Sequence, residues 1–530
     1  MLYACRVTEA TSRTTGAPGG SAAPPPAGVA AGAPTRGVVV AVGVLAALRL
    51  AHWLLAPPNS DEAYYWAWGQ HPALSYYDHP PLLAWTQGIV HALLGRSELA
   101  LRLPAALCTV GLVLLGARVA GRLAAPGRGR VTFAAAALLG SPLLLMFTSF
   151  AWHDALLLFL CALSASLLVD FLAEVAEGGR GSTARLFLGA AVLGLAALAK
   201  YNSVFVAVGV AGAIALDPRL RKLLRDPRLW VAAAITLAVL SPIVIWNLDH
   251  GLASFRFHLG QRQGVSEGLR FRPRAPIDFL VPTVLLLGPA FVVAAWRAFR
   301  AASAGGEGVF DPSAWASVYR RVALLVFASS TAAFLGLSLV SWTLYYWNIV
   351  AYVLLVPPVA VVLAARPRLL RFHLGYGLVA AAVLVAHAVV IPLTAPFPWI
   401  QDDDSKEPLG WPTISQAVAE ELARGPGRFP ATTDYRSAAH LAWALGTADV
   451  VVVPGGRISE FDYWLEPSRG GQTAVLVTDH RGPMDAGVAR WFDRVTHLRT
   501  LPVDRLGLRI KSYDLWLAEG FHLPPAAARR

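Results

Sequence analysis

Residues 37–85 read GVVVAVGVLAALRLAHWLLAPPNSDEAYYWAWGQHPALSYYDHPPLLAW. The first part, 37–56, is apolar apart from Arg49 and His52. At about 1.5 Å of rise per residue, a helix of that length crosses the hydrocarbon core of a bilayer. Pro57 and Pro58 end the run, and acids and aromatic rings crowd the stretch that follows. Further apolar runs lie at about 98–121, 131–149, 154–173, 184–199, 201–217, 229–246, 276–297, 322–340, 349–365 and 373–393. The two runs that meet at Lys200 also read as one broken helix. The pattern predicts an α-helical polytopic membrane protein with about 11–13 transmembrane helices. Composition agrees: 56% of the 530 residues are hydrophobic and 15% are charged, against about 25% charged in soluble chains. A soluble enzyme, a disordered scaffold and a coiled coil are excluded. Cys5, Cys108 and Cys161 are too few for a disulfide-stapled domain, and two of them fall inside apolar runs.

Residues 1–36 are rich in Ala, Gly, Pro, Ser and Thr without an apolar period, which predicts a disordered tail. Residues 37–393 form the membrane domain, with a first outer loop at 57–97. Residues 394–530 differ in kind. Short β-like runs at 448–453, 473–478 and 507–517 alternate with helical patterns at 414–424 and 436–445, predicting a small α/β domain. Arg and Lys gather in alternate loops, including Arg118, Arg122, Arg128 and Arg130, then Arg219, Arg221, Lys222, Arg225 and Arg228. The positive-inside rule puts those loops and the N-terminus in the cytoplasm. The C-terminal domain then falls outside, periplasmic or extracellular, at a plasma (inner) membrane. One loop breaks the pattern: residues 247–275 carry Arg256, Arg262, Arg270, Arg272 and Arg274 on the outer side.

The first outer loop has two acid clusters, Asp61–Glu62 and Asp78–His79, the second running into Pro80 and Pro81. Tyr64, Tyr65, Trp66, Trp68, Tyr76, Tyr77 and Trp85 surround them. An interfacial aromatic belt with solvated acids explains the composition. It does not require two separated acid clusters, or a His beside a Pro pair. Asp154, in SFAWHDALLLFL, starts an apolar run at the same face, where a helix dipole alone would favour it. Lys200, in ALAKYNSVF, is a lone charge among apolar residues, which snorkelling alone would explain. Taken together these residues suit group transfer from a lipid-linked phosphate. A carboxylate can act as base toward an acceptor hydroxyl. Lys and Arg can hold a leaving phosphate. Acids with a His also suit a divalent metal. No nucleotide-binding glycine fingerprint is present, so no nucleotide cofactor is expected, and no nucleic-acid partner.

The stretch DEAYYWAWGQHPALSYYDHPPLLAW resembles the bacterial relatives of dolichyl-phosphate-mannose protein mannosyltransferases, and is similar to the lipid A aminoarabinose transferases. Both are GT-C glycosyltransferases of the membrane. The resemblance extends to FAWHDALLLF, LAALAKYNSVF, SPIVIWNLDHGLASFRFHLGQR and YYWNIVAYVLLVP. It continues more weakly to DYRSAAHLAWAL and GGRISEFDYWL. It implies Asp61 as principal catalytic acid, with Glu62 beside it and Asp154 as second catalytic acid. Lys200, with Arg256 or Arg262, would hold the donor phosphate, with Tyr345 and Tyr346 nearby. Asp78 and His79 occupy the place of an acid–Lys pair that meets metal and phosphate. A His is fully charged only below about pH 6.5, so His79 suits metal ligation or hydrogen bonding better than a permanent phosphate contact. The expected partners are a polyprenyl-phosphate sugar donor, a lipid, glycan or protein acceptor, and membrane lipids. The expected activity is sugar transfer to lipid A, lipopolysaccharide, another envelope glycan or a protein. A lipid flippase or transporter is the alternative. It fits the helix count, but not ionisable residues gathered at one face.

Overall fold

The structure is a computed structural model that describes residues 32–124, 128–261, 271–303, 309–397 and 403–523. Most of the expected tail, 1–31, and Arg262 lie outside the described residues.

Helix α1 (Arg36–Leu55) carries the first apolar run and stops ahead of the two prolines. Helix α2 (Ser60–Gln70) starts on a capping box. The Asn59 side chain accepts the Glu62 N–H at 3.0 Å, and the Glu62 carboxylate accepts the Asn59 N–H at 3.1 Å. Helix α3 (Leu82–Leu94) follows the Pro pair and packs on α2. A Cβ on Gly69 of α2 would stand 2.7 Å from the Gly88 nitrogen of α3, so this approach needs glycine.

The other apolar runs become α4 (Glu98–Leu123), α5 (Arg130–Leu139) with α6 (Pro142–Ser149), α7 (His153–Ala176), α8 (Thr183–Ala199) and α9 (Val204–Leu216). They continue with α10 (Pro227–Val239) and α11 (Ser241–Asp249), the short α12 (Ala253–Arg256), α13 (Ala275–Leu287) with α14 (Pro289–Ser303), α15 (Ala314–Ser338), α16 (Ile349–Ala364) and α17 (Pro367–Val385). Among the described residues five helices are long and apolar enough to cross a membrane, or eight if each bent pair is one span. Runs 131–149 and 276–297, each read as one membrane helix, break by 89° and 95°. At each break a proline at the start of the second helix has no N–H to extend the ladder, and Gly288 turns the second break with φ +95°. Helix α16 is apolar on all sides and buried almost throughout, with α4, α5, α7, α14 and α15 packed on it.

The C-terminal unit holds α18 (Asp403–Lys406), α19 (Trp411–Ala423), β1 (Arg428–Thr432), α20 (Tyr435–Leu445), β2 (Val451–Val452), α21 (Glu460–Tyr463), β3 (Thr473–Thr478), β4 (Arg494–Arg505) and β5 (Leu508–Glu519). The sheet runs β2-β1-β3-β5-β4. β1 pairs in parallel with β2 and β3, and β5 is antiparallel to β3 and β4. Alternation along β3 divides the core. Val475 and Val477 join the main core with Ile414, Val418 and Leu441 of the covering helices. Ala474 and Leu476 join a second core with Phe429, Phe492 and Phe521. Helix α20 packs directly on α2, which seats this domain on the 57–97 segment.

Candidate active site

Where the loop, the helix ends and the C-terminal domain meet lies a cavity of about 980 Å³. Asp61, Asp78, His79, Asp154, Lys200, Tyr345 and Tyr346 all line it, although they come from five separate stretches of chain.

The Asp61 carboxylate is half-buried on the first turn of α2 and makes no hydrogen bond among the described residues. Burial raises its proton affinity above the usual carboxylate value. Arg436 opposes that rise, Asp78 adds to it and Arg457 opposes it. A carboxylate with open lone pairs and raised basicity is suited to accept a proton.

Asp154 and Lys200 pair with each other. The ammonium stands 2.8 and 3.1 Å from the two carboxylate oxygens, and both side chains are buried. Asp154 opens α7, and Lys200 sits in extended backbone just past the last turn of α8. Neither helix capping nor snorkelling is therefore needed to explain them. The Lys200 ammonium also lies 5.4 Å from the Tyr346 ring centroid, within cation–π range. Tyr346 packs on Phe147 at 4.4 Å and meets Tyr345 edge-on.

Asp78 joins the two domains. Tyr64 donates its hydroxyl to one Asp78 oxygen at 2.8 Å and accepts the Glu460 backbone N–H at 2.6 Å. Arg457 forms an ion pair with the other oxygen. The His258 ring meets the Asp78 backbone carbonyl at 2.8 Å. The His79 ring lies 4.6 Å from that of His153 and 5.7 Å from that of His258. Asp78 and His79, expected as metal ligands, do not make a ligand set. Tyr64 and Arg457 engage the Asp78 oxygens, and among the described residues no group of three or more His, Cys, Asp or Glu is placed to hold a metal.

Two expected site residues lie elsewhere. Glu62 is fully buried and does not line the cavity. Arg102 of α4 holds both of its oxygens at 2.8 Å, and the Ala151 N–H donates to it at 2.8 Å. Burial alone would raise its proton affinity. Arg102 and the Ala151 N–H outweigh that and leave it below the usual value. Arg102 also donates to the carbonyls of His52, Trp53, Ala56 and Pro57, fixing the exit of α1. Glu62 therefore positions the backbone that presents Asp61. Arg256 is exposed at the end of α12 and is not a cavity residue. Its neighbours reach the site instead: Phe257 lines the cavity and His258 touches Asp78.

Sequence reasoning did not single out the residues that the C-terminal domain brings to the cavity. Arg436, Tyr435, Arg457 and Asp404 all line the cavity. Arg436 and Arg457 fall in DYRSAAHLAWAL and GGRISEFDYWL, two segments that carry the weaker part of the resemblance and so held the available signal.

The arrangement is a GT-C fold with a small C-terminal sheet domain. Residues 78–246 match the family model for dolichyl-phosphate-mannose-protein mannosyltransferase. The fold is shared with ArnT from Cupriavidus metallidurans, in the apo state and bound to undecaprenyl phosphate. Each comparison gives a TM-score of 0.61 at 15% identity, over 91% of this chain and 98% of that one. The chain is also 30% identical over 280 residues to the lipid A galacturonosyltransferase RgtD of Rhizobium johnstonii. That match covers 52% of this chain and 55% of the relative, so it spans about half the relative's length. The resemblance read from the sequence is borne out.

Proposed function

We propose that the protein is an integral membrane glycosyltransferase that moves a sugar from a polyprenyl-phosphate donor to lipid A or a similar envelope glycan. The observation that carries this reading is the meeting of Asp61, with its open carboxylate, and the Asp154–Lys200 pair in one cavity between helix ends and an outer domain. The donor's phosphate lies toward Lys200, and its chain runs among the apolar helix surfaces. Asp61 takes the proton of the acceptor hydroxyl as that oxygen attacks the anomeric carbon. The bond from that carbon to the phosphate oxygen breaks, and the polyprenyl phosphate leaves with the electron pair. No covalent enzyme intermediate is needed. The relative's lipid A substrate supports the acceptor, and the undecaprenyl phosphate bound to ArnT supports the donor. The site then faces the outer side of the inner membrane, with the N-terminus cytoplasmic, an orientation that the loop charges support.

The test is transfer by the protein in lipid nanodiscs, supplied with radiolabelled polyprenyl-phosphate sugars and lipid A. Label should move to the acceptor with the wild type and move about 10²-fold or more slowly with Asp61→Asn. Label transfer by the variant at the wild-type rate would contradict the reading.

A further inference from the structure

Resting on the glycosyl-transfer reading, we propose that Arg436 is a specificity residue whose guanidinium receives an oxyanion, a carboxylate or phosphate, carried by the transferred sugar or by the acceptor.

Lys200, Arg436 and Arg457 line the cavity, and they are not equally neutralised. Lys200 meets both oxygens of Asp154. Arg457 pairs with Asp78 and lies over the rings of Tyr435 and Phe257, at 4.8 and 5.2 Å. Arg436 is different. Asp434 caps α20 by accepting the Arg436 backbone N–H at 2.9 Å, which fixes where the side chain leaves the helix. The Arg436 Nε donates to the Tyr435 hydroxyl at 3.3 Å. The acid paired with Arg436, Asp404, stands 3.6 Å from Nη1, and its side chain is 80% exposed. Asp404 already accepts a hydrogen bond from Arg481 at 3.0 Å. Among the described residues, neither terminal nitrogen of Arg436 makes a hydrogen bond.

An arginine fork on a cavity wall whose two terminal amines make no hydrogen bond, one of them only in a long ion pair with exposed Asp404, matches a carboxylate or phosphate, which binds it through two parallel bonds. A neutral hydroxyl offers no such match. Arg436 is also the cation that most lowers the proton affinity of Asp61. An anion bound at Arg436 would cancel that pull, so the base would strengthen when the acidic substrate is in place.

The experiment is equilibrium binding to the full chain in nanodiscs, with wild type, Arg436→Gln and Arg436→Lys side by side. One probe pair is undecaprenyl-phosphate galacturonic acid and undecaprenyl-phosphate galactose, which differ only in the acidic group. The other is lipid A with and without its phosphates. The wild type should prefer the acidic member of one pair by about tenfold or more, as charge-assisted bonds to arginine warrant. Arg436→Gln should erase that preference while still binding the neutral member, which also shows that the variant is folded. Arg436→Lys should keep part of it. Loss confined to the first pair places the anion on the sugar, and loss confined to the second places it on the acceptor. A wild type without preference in either pair, or an Arg436→Gln variant that keeps the wild-type preference, would overturn the proposal. Sugar transfer by the same preparations is scored separately. Its absence would count against the glycosyltransferase reading and leave the binding result to decide on Arg436.

Discussion

Asp61 and Glu62 stand about 100° apart around α2 because a helix turns once in about 3.6 residues. That rotation puts one carboxylate on the cavity wall and the other against Arg102. Spacing alone does not separate the two acids; the resemblance put Asp61 first, and the physical reason for the difference became legible once the helix was placed. Arg102, set among apolar residues near the start of the run 98–121, was the overlooked sign that one acid had a structural partner. The roles separate in measurement. Asp61 must be unprotonated to act as base, and its proton affinity is raised, so kcat/KM should fall on acidification at a pH above the ordinary carboxylate value of 3.8. Arg436→Gln removes a cation that opposes the rise, and the acid limb should move to still higher pH; a limb that stays put or moves lower would contradict this electrostatic account. Glu62→Gln breaks a fully buried ion pair, which typically costs about 3–5 kcal/mol. Its melting temperature in detergent should drop clearly below that of the wild type. Glu62 binds protons less tightly folded than unfolded, so the stability it contributes is present above pH 4.5 and lost as pH falls further.

At the scale of elements, every apolar run reappears as a helix or a bent pair, because run length reports burial in lipid directly. The bends were not legible. Hydropathy carries no direction, although the prolines at the breaks mark where the ladder fails. Strands β1 and β4 were missed for a related reason. Pro430 and Pro502 interrupt them, and β4 is an edge strand rich in charge. Helix α21 shows what the C-terminal domain does. Glu460 is buried there, accepts the Tyr77 N–H at 2.7 Å, and gives its own N–H to Tyr64. Burial, joined by repulsion from Asp78 against the pull of the Tyr77 N–H, pushes its carboxyl up to about 8. The folded state therefore holds the proton that the unfolded chain releases near 4.5. Docking of α21 should weaken as pH rises from about 4.5 toward 8. Glu460→Gln carries no such titration, so its melting temperature should gain on the wild type between pH 5 and pH 8.5. An unchanged gap across that range would count against the protonated carboxyl.

At the scale of the whole molecule, the cavity belongs to neither domain alone. The membrane domain supplies Asp61, Asp154 and Lys200, and the C-terminal domain supplies Arg436 and Arg457. Tyr64 and Asp78 hold the two halves in register through Glu460 and Arg457. The loop's candidate residues were readable in one sequence because they are dense and local. The convergence with residues nearly 400 positions away, such as Asp78 with Arg457, is a property of the folded chain. The division of labour inside the cavity is the central claim, and single-turnover transfer from pre-bound donor in nanodiscs tests it most directly. Asp61→Asn should bind donor like the wild type and transfer about 10²–10⁴-fold more slowly, the usual contribution of a general base. Lys200→Met should lose donor affinity at the outset. Wild-type turnover by Asp61→Asn, or undiminished donor binding by Lys200→Met, would contradict the account.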